Sequence, residues 1–220
     1  MDAFESLLTF LGSSLCHQLA ERSYALGGFQ MPLCARCLGL HVGFLISAVV
    51  ILLQKSRSPS GLPCTRSLVI LGSMMVPAVA DVALSYFGVI GSDNTRRVVT
   101  GVLFGTCLAF VIVPFVRSLV DGLPTVGRSM TSPRDWVTLL VVAMATCAMV
   151  ASAESSEVLF YSLAVAGIAG IFVTTWSLIA VLTLLLTEDR MWGKQMRLTA
   201  PTIATPPFLL LLAALHAIIN

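Results

Sequence analysis

The chain has 220 residues, of which 57% are hydrophobic and 11% charged, and its net charge is +2. A soluble domain carries about 25% charged residues, so the composition excludes an ordinary water-soluble globule. A small net charge without a basic, aromatic-laced stripe excludes a nucleic-acid partner.

In chain order, Phe4, Leu7, Leu8, Leu11 and Leu15 form a helical apolar stripe flanked by Glu5 and His17. This reads as an interfacial or re-entrant helix. Asp2 and Glu5, with no basic residue before Arg22, make the wrong flank for a secretory signal peptide. Six apolar runs follow, at residues 38–54, 67–89, 98–116, 137–152, 158–187 and 203–219. The fifth is long enough to tilt or break near Gly167 and Gly170. The sixth carries Pro206 and Pro207, which imply a kink or a late helix start. The expected fold is all-α: a polytopic membrane bundle of about six spans in one domain over residues 1–220. Residues 1–30 form its interfacial helix and loop, and 31–220 its bundle.

Lys and Arg set the orientation. Lys55, Arg57, Arg66, Arg117, Arg128, Arg134, Arg190, Lys194 and Arg197 lie on one side; Arg22, Arg36, Arg96 and Arg97 lie on the other. Nine against four puts the first side in the cytoplasm. The expected location is a bacterial or archaeal cytoplasmic membrane, with the N-terminal segment on its outer face.

The unusual polar residues then converge on that outer side. Cys34, Cys37 and His41 open the first span, Asp81 lies in the outer half of the second, and Asn94, Arg97 and Thr100 precede the third. His216 ends the sixth. Ionisable groups at membrane depth point to function, although Asp81 with Arg97 also reads as a buried structural ion pair. Gly39 with Gly43, and Gly101 with Gly105, are small residues four apart. They let backbones approach closely, so the first and third spans are expected to pack together at their outer ends.

The segment MPLCARCLGLHVGF sets a Cys-x-x-Cys at the head of the first span, where Pro32 suits the first helical turn. Cys34, Cys37 and His41 share one helical face. The loop 21–30, with Gly27 and Gly28, would fold back to add Cys16 and His17. Three chemistries compete. Cys16, Cys34, Cys37 and one histidine make a Cys3His set suited to zinc, structural if closed and hydrolytic if one position stays open. A Cys-x-x-Cys beside Arg36 also suits thiol-disulfide exchange, with Cys16 as resolving partner. Plain structural cysteines are the third reading. Cys107 and Cys147 fall in apolar runs as small core residues.

The stretch CHQLAERSYALGGFQMPLCARCLGLHVGF resembles a family of small prokaryotic multi-pass membrane proteins known only as a domain of unknown function. The resemblance rests on Cys16-His17, Arg22-Ser23, Gly28, Pro32, Cys34, Arg36 and Cys37. It continues through Pro77, Asp81, Asn94, Arg97, Thr100, Gly101 and Gly105. It covers roughly the first half of the chain. Leu38 and His41 depart from it, since a small polar residue and an aromatic are expected there; that shifts weight from His41 to His17. The resemblance implies one outward site and brings no activity with it. Beside that site, Arg22 reads as a holder of an anionic group rather than as a snorkelling anchor.

The leading expectation is therefore a metal-dependent enzyme acting on a lipid or other membrane-embedded substrate. Its zinc ligands come from Cys16, His17, Cys34, Cys37 and His41, its catalytic groups are Asp81 and Arg97, and Arg22 and Asn94 bind substrate. The alternatives are a quinone-linked thiol-disulfide oxidoreductase using Cys34 and Cys37, and an accessory subunit that meets other membrane proteins and uses its metal as a staple.

Overall fold

A computed structural model describes residues 3–54, 61–91, 93–121, 130, 132–186 and 194–219. Of the nine cations assigned to the cytoplasmic side, Lys55, Arg57, Arg128 and Arg190 lie outside these residues. Among the described residues there are seven α-helices and one β-hairpin. They are α1 (Ala3–Gly12), β1 (Ser23–Leu26), β2 (Phe29–Cys34), α2 (Ala35–Leu53), α3 (Thr65–Tyr86), α4 (Asn94–Asp121), α5 (Pro133–Ala151), α6 (Glu157–Leu186) and α7 (Lys194–Ile219). Helices α2 to α7 are each long and apolar enough to cross a bilayer. The fold is an all-α membrane bundle.

Helix α1 has ten residues, about 15 Å of helix, half the hydrocarbon thickness of about 30 Å. It buries Leu8 and Gly12 and leaves Phe4, Leu7 and Phe10 exposed. It packs on the bundle through Leu8 and Gly12 and leaves an apolar face outside.

The bundle is organised around α2. Half of the apolar window of α2 and of α4 is buried, against 22% for α3, α5 and α7; α2, α4 and α6 therefore form the centre. The seam between α2 and α4 is the expected one. A Cβ on Gly39 would sit 2.9 Å from the Val98 carbonyl oxygen, and one on Gly43 would sit 3.0 Å from that of Val102. Gly101 and Gly105 meet the carbonyls of Arg36 and Leu40 at closer range still. The matched order of these contacts makes the two helices parallel.

Helix α6 runs unbroken past Gly167 and Gly170, where a tilt or break was expected. The glycines serve packing instead: Gly167 faces Leu33 and Leu38, and Gly170 faces the carbonyl of His41. Helix α7 likewise begins at Lys194, ahead of the expected start, and runs through Pro201, Pro206 and Pro207. Thr205 Oγ1 donates to the Pro201 carbonyl at 2.7 Å, so a hydroxyl adds a partner inside the proline-rich stretch.

Exposed Val, Leu, Ile and Phe cover the outside of the spans, as with Val79, Val82, Val141, Leu182 and Leu211. The interior forms two apolar clusters, one at each end. The first gathers Met31, Leu33, Leu38, Val98, Phe160 and Leu163, and the second Phe44, Ile51, Leu71, Phe110 and Leu139. Helix α5 opens with a reciprocal cap: Ser132 and Asp135 each accept a backbone N–H of the other's turn, and Pro133 occupies the first helical position.

Candidate metal centre

A two-residue turn delivers the thiols. Gly27 and Gly28 both adopt positive φ, 61° and 85°, as a tight hairpin turn requires. Strands β1 and β2 pair antiparallel from Leu26–Phe29 back to Ser23–Cys34. Their register shifts between Ser23 and Ala25, opposite the stretch of β2 holding Pro32, which has no N–H to give. Pro32 therefore lies in a strand, not in the first helical turn as expected. The helix begins at Ala35, with Cys34 extended at φ −65° and ψ 156° just before it.

Gln18 fastens the incoming segment. It adopts φ 52°. Its side-chain amide donates to the carbonyls of Thr9 and Pro32 at 2.6 and 2.9 Å, and Gln30 donates to its carbonyl at 2.6 Å. This brings Cys16 onto the head of α2, where the Cys34 N–H donates to Cys16 Sγ at 3.2 Å. The result is a group of three sulfurs, from Cys16, Cys34 and Cys37, all within 4.8 Å of one another. Cys16 is buried, and the other two are half-buried. Hydrogen bonds among the thiols, that from Cys16 first, pull Cys34 well below the ordinary thiol range; the Cys34 partnership pushes Cys16 up.

Neither histidine joins this group. His17 is exposed, with its ring edge-on to His216 at a centroid distance of 5.7 Å. His41 is buried, and its Nδ1 lies 3.3 Å from Thr174 Oγ1. The physical reason is angular. His17 follows Cys16 directly, so when the Cys16 side chain turns inward its neighbour turns away. His41 lies on α2 beyond the turn that carries Cys37, facing α6.

The charged residues do converge at this end, in a different pairing from the expected Asp81 with Arg97. Asp81 is 3% exposed and forms an ion pair with Arg36 from α2. Arg96 from α4 reaches its other oxygen at 3.8 Å. One carboxylate thus ties three helices. Arg97 is buried and donates to Asn94 Oδ1 at 3.1 Å. It remains within electrostatic reach of Arg22, Arg36, Cys34 and Asp81. Arg22 meets Glu21 at 3.6 Å on the half-exposed rim. Sequence reasoning gave Arg36 no part in this network; its place between the two cysteines was the available signal. Two further ties were missed. The Ala25 N–H donates to Glu154 Oε1, and the Tyr161 hydroxyl to Glu5 Oε1; they secure the N-terminal segment to the turn between α5 and α6 and to the head of α6.

Three thiolates at this spacing fit a soft or borderline cation. Tetrahedral zinc, with bonds of about 2.3 Å to sulfur, needs sulfurs about 3.8 Å apart. A set of three protein thiols leaves the fourth position to another ligand, the arrangement of sites that bind something beyond the protein.

Residues 16–111 match the profile of a family described as Predicted membrane protein (DUF2085). An uncharacterized protein of the archaeon Methanocaldococcus jannaschii is 29% identical over 108 residues, covering 49% of this chain and 67% of that protein. No solved structure matches. The matched region runs from Cys16 through the three-helix seam to α4, so the half of the chain that builds the cysteine centre is similar to an uncharacterised family of prokaryotic membrane proteins.

Proposed function

We propose that the protein is a membrane-embedded metal enzyme whose ion, zinc by its donor set, is held by Cys16, Cys34 and Cys37. It would act on a lipid or another substrate drawn from the bilayer. The observation that carries this reading is the meeting of three sulfurs from two chain segments 18 residues apart. When bound, such an ion supplies Lewis-acid polarisation of a carbonyl or phosphoryl oxygen. The chain's own residues do the rest. Arg97, oriented by Asn94, and Arg22 hold the substrate's negative charge. Asp81 fixes the direction of Arg36 and Arg96. The hairpin delivers Cys34, and the segment after α1 delivers Cys16. The weight of cations on the opposite side supports an outward-facing centre.

Elemental analysis tests this. Purified protein should carry about one zinc per chain, and a Cys34→Ser, Cys37→Ser variant should carry none. Metal-free wild-type protein with an unchanged fold would overturn it.

The lowered Cys34 thiol favours one second reading, thiol-disulfide exchange. There the Cys34 and Cys37 thiols would give two electrons and two protons to a quinone, forming a disulfide and a quinol. In metal-free protein at pH 7, iodoacetamide should then label Cys34 ahead of Cys16, since a lowered thiol is ionised where a raised one is protonated. Two thiols protected until reductant is added would favour this reading over the metal.

A further inference from the structure

Helices α2 and α4 meet backbone to backbone, whereas α3 packs on them through Leu71 and leaves a gap nearer its Asp81 end. Between the three lies an apolar cavity of about 470 Å³, within the usual range of about 300–1,000 Å³ for ligand pockets. Leu40, Val79, Val82, Ala83 and Phe104 line it, and its one charged lining residue is Arg36. Val79 and Val82 are 60% and 47% exposed, on a face of α3 that looks into the bilayer. The cavity is therefore an apolar slot open on the outside of the bundle, with Arg36 among its lining residues.

Arg97 lies on α4 about one helical turn before Gly101, which lines the slot. Arg97 is 8% exposed, and its hydrogen-bond partner is the neutral Asn94 amide. Among the described residues, no carboxylate lies within 4.0 Å of it. Asp81, already shared by Arg36 and Arg96, lies within its electrostatic reach, as does the Cys34 side chain. Arg36 Nε is buried without a hydrogen-bond partner. Arg22 stands at the rim against Glu21, and the Asp93 carboxylate accepts the Arg96 backbone N–H. A cation held from water one helical turn above an apolar slot has the chemistry to take an anionic lipid, headgroup on the cation and acyl chain in the slot.

We infer that this end of the bundle binds an anionic phospholipid, with its phosphate on Arg97 and Arg36, Arg22 at the rim, and one acyl chain in the slot between α2, α3 and α4. The inference rests on the proposed enzymatic reading and names its substrate class. A zwitterionic lipid brings a compensating ammonium and would leave the buried guanidiniums less well matched.

The test uses the full chain in nanodiscs containing equal phosphatidylglycerol and phosphatidylcholine with identical acyl chains. Lipid retained after detergent extraction is quantified by mass spectrometry. Phosphatidylglycerol should be enriched about tenfold, the scale of one charged hydrogen bond. Arg97→Gln should abolish the enrichment, and Arg22→Gln, on the half-exposed rim, should reduce it in a protein that folds normally. Val82→Trp, which fills the slot without touching a charge, should lower retention of both lipids. Equal retention of the two lipids by the wild type would overturn the inference, as would a Val82→Trp variant that holds lipid unchanged. Displacement of the lipid by millimolar inorganic phosphate would also overturn it, assigning the arginines to a free anion. Metal measured on the same samples separates the two claims. Zinc without lipid selectivity retires this inference alone, and selectivity without zinc retires the metal reading alone.

Discussion

Helix α4 meets α2 and α3 in opposite ways. Against α2 it lays glycine on carbonyl along two turns of each helix, with no room for a methyl group. Against α3 it offers side chains and a shared carboxylate, and a cavity remains. The first contact fixes the heads of α2 and α4, and with them Cys34, Cys37 and Arg97. The second leaves space for something other than protein. A rigid seam beside a loose one is how a bundle can hold chemical groups still while admitting a ligand from the side.

Substitutions can break that contrast in graded steps. The largest effect is expected at Asp81, the one carboxylate joining α3 to the pair. Asp81→Asn leaves the mostly buried Arg36 guanidinium without its carboxylate and should cost about 3–5 kcal/mol, read as the loss of unfolding free energy in a detergent titration. At the tight seam, Gly105→Ala drives a methyl into the Leu40 carbonyl. It should cost about 1–3 kcal/mol, as overpacking does, and should also weaken metal retention by shifting the head of α2. The control lies on the loose side. Gly72 in α3 has nothing within 4 Å of an added Cβ, so Gly72→Ala should cause no loss and should gain at most about 1 kcal/mol of helix propensity. Equal losses at Gly105 and Gly72 would remove the distinction.

The sequence exposes the tight seam more readily than the loose one. Glycines four apart have one strong use in a membrane, close backbone approach, so the α2–α4 contact follows from spacing alone. The three cysteines are legible for a similar reason, since a thiol pair at a helix head and a third beyond a glycine turn have few places to go. The Asp81 pairing is not. Arg96 and Arg97 are adjacent, so about 100° of rotation separates them, and spacing does not say which faces α3. Gly27-Gly28 did carry a hairpin signal, which the surrounding loop-like composition obscured. The histidines depended on the same missing angles: a residue's distance along the chain from a cysteine says little about where its ring points.

Cys16 and Cys34, 18 positions apart, bracket a segment that turns at Gly27-Gly28 and packs back on the head of the bundle. An ion gripping both ends closes a ring, and the ring includes the hairpin. Its binding energy would then act as folding energy for that cap, while the six spans keep their own support. Starvation for the metal would be felt first as proteolytic clipping between α1 and α2, in a protein whose transmembrane part is still intact.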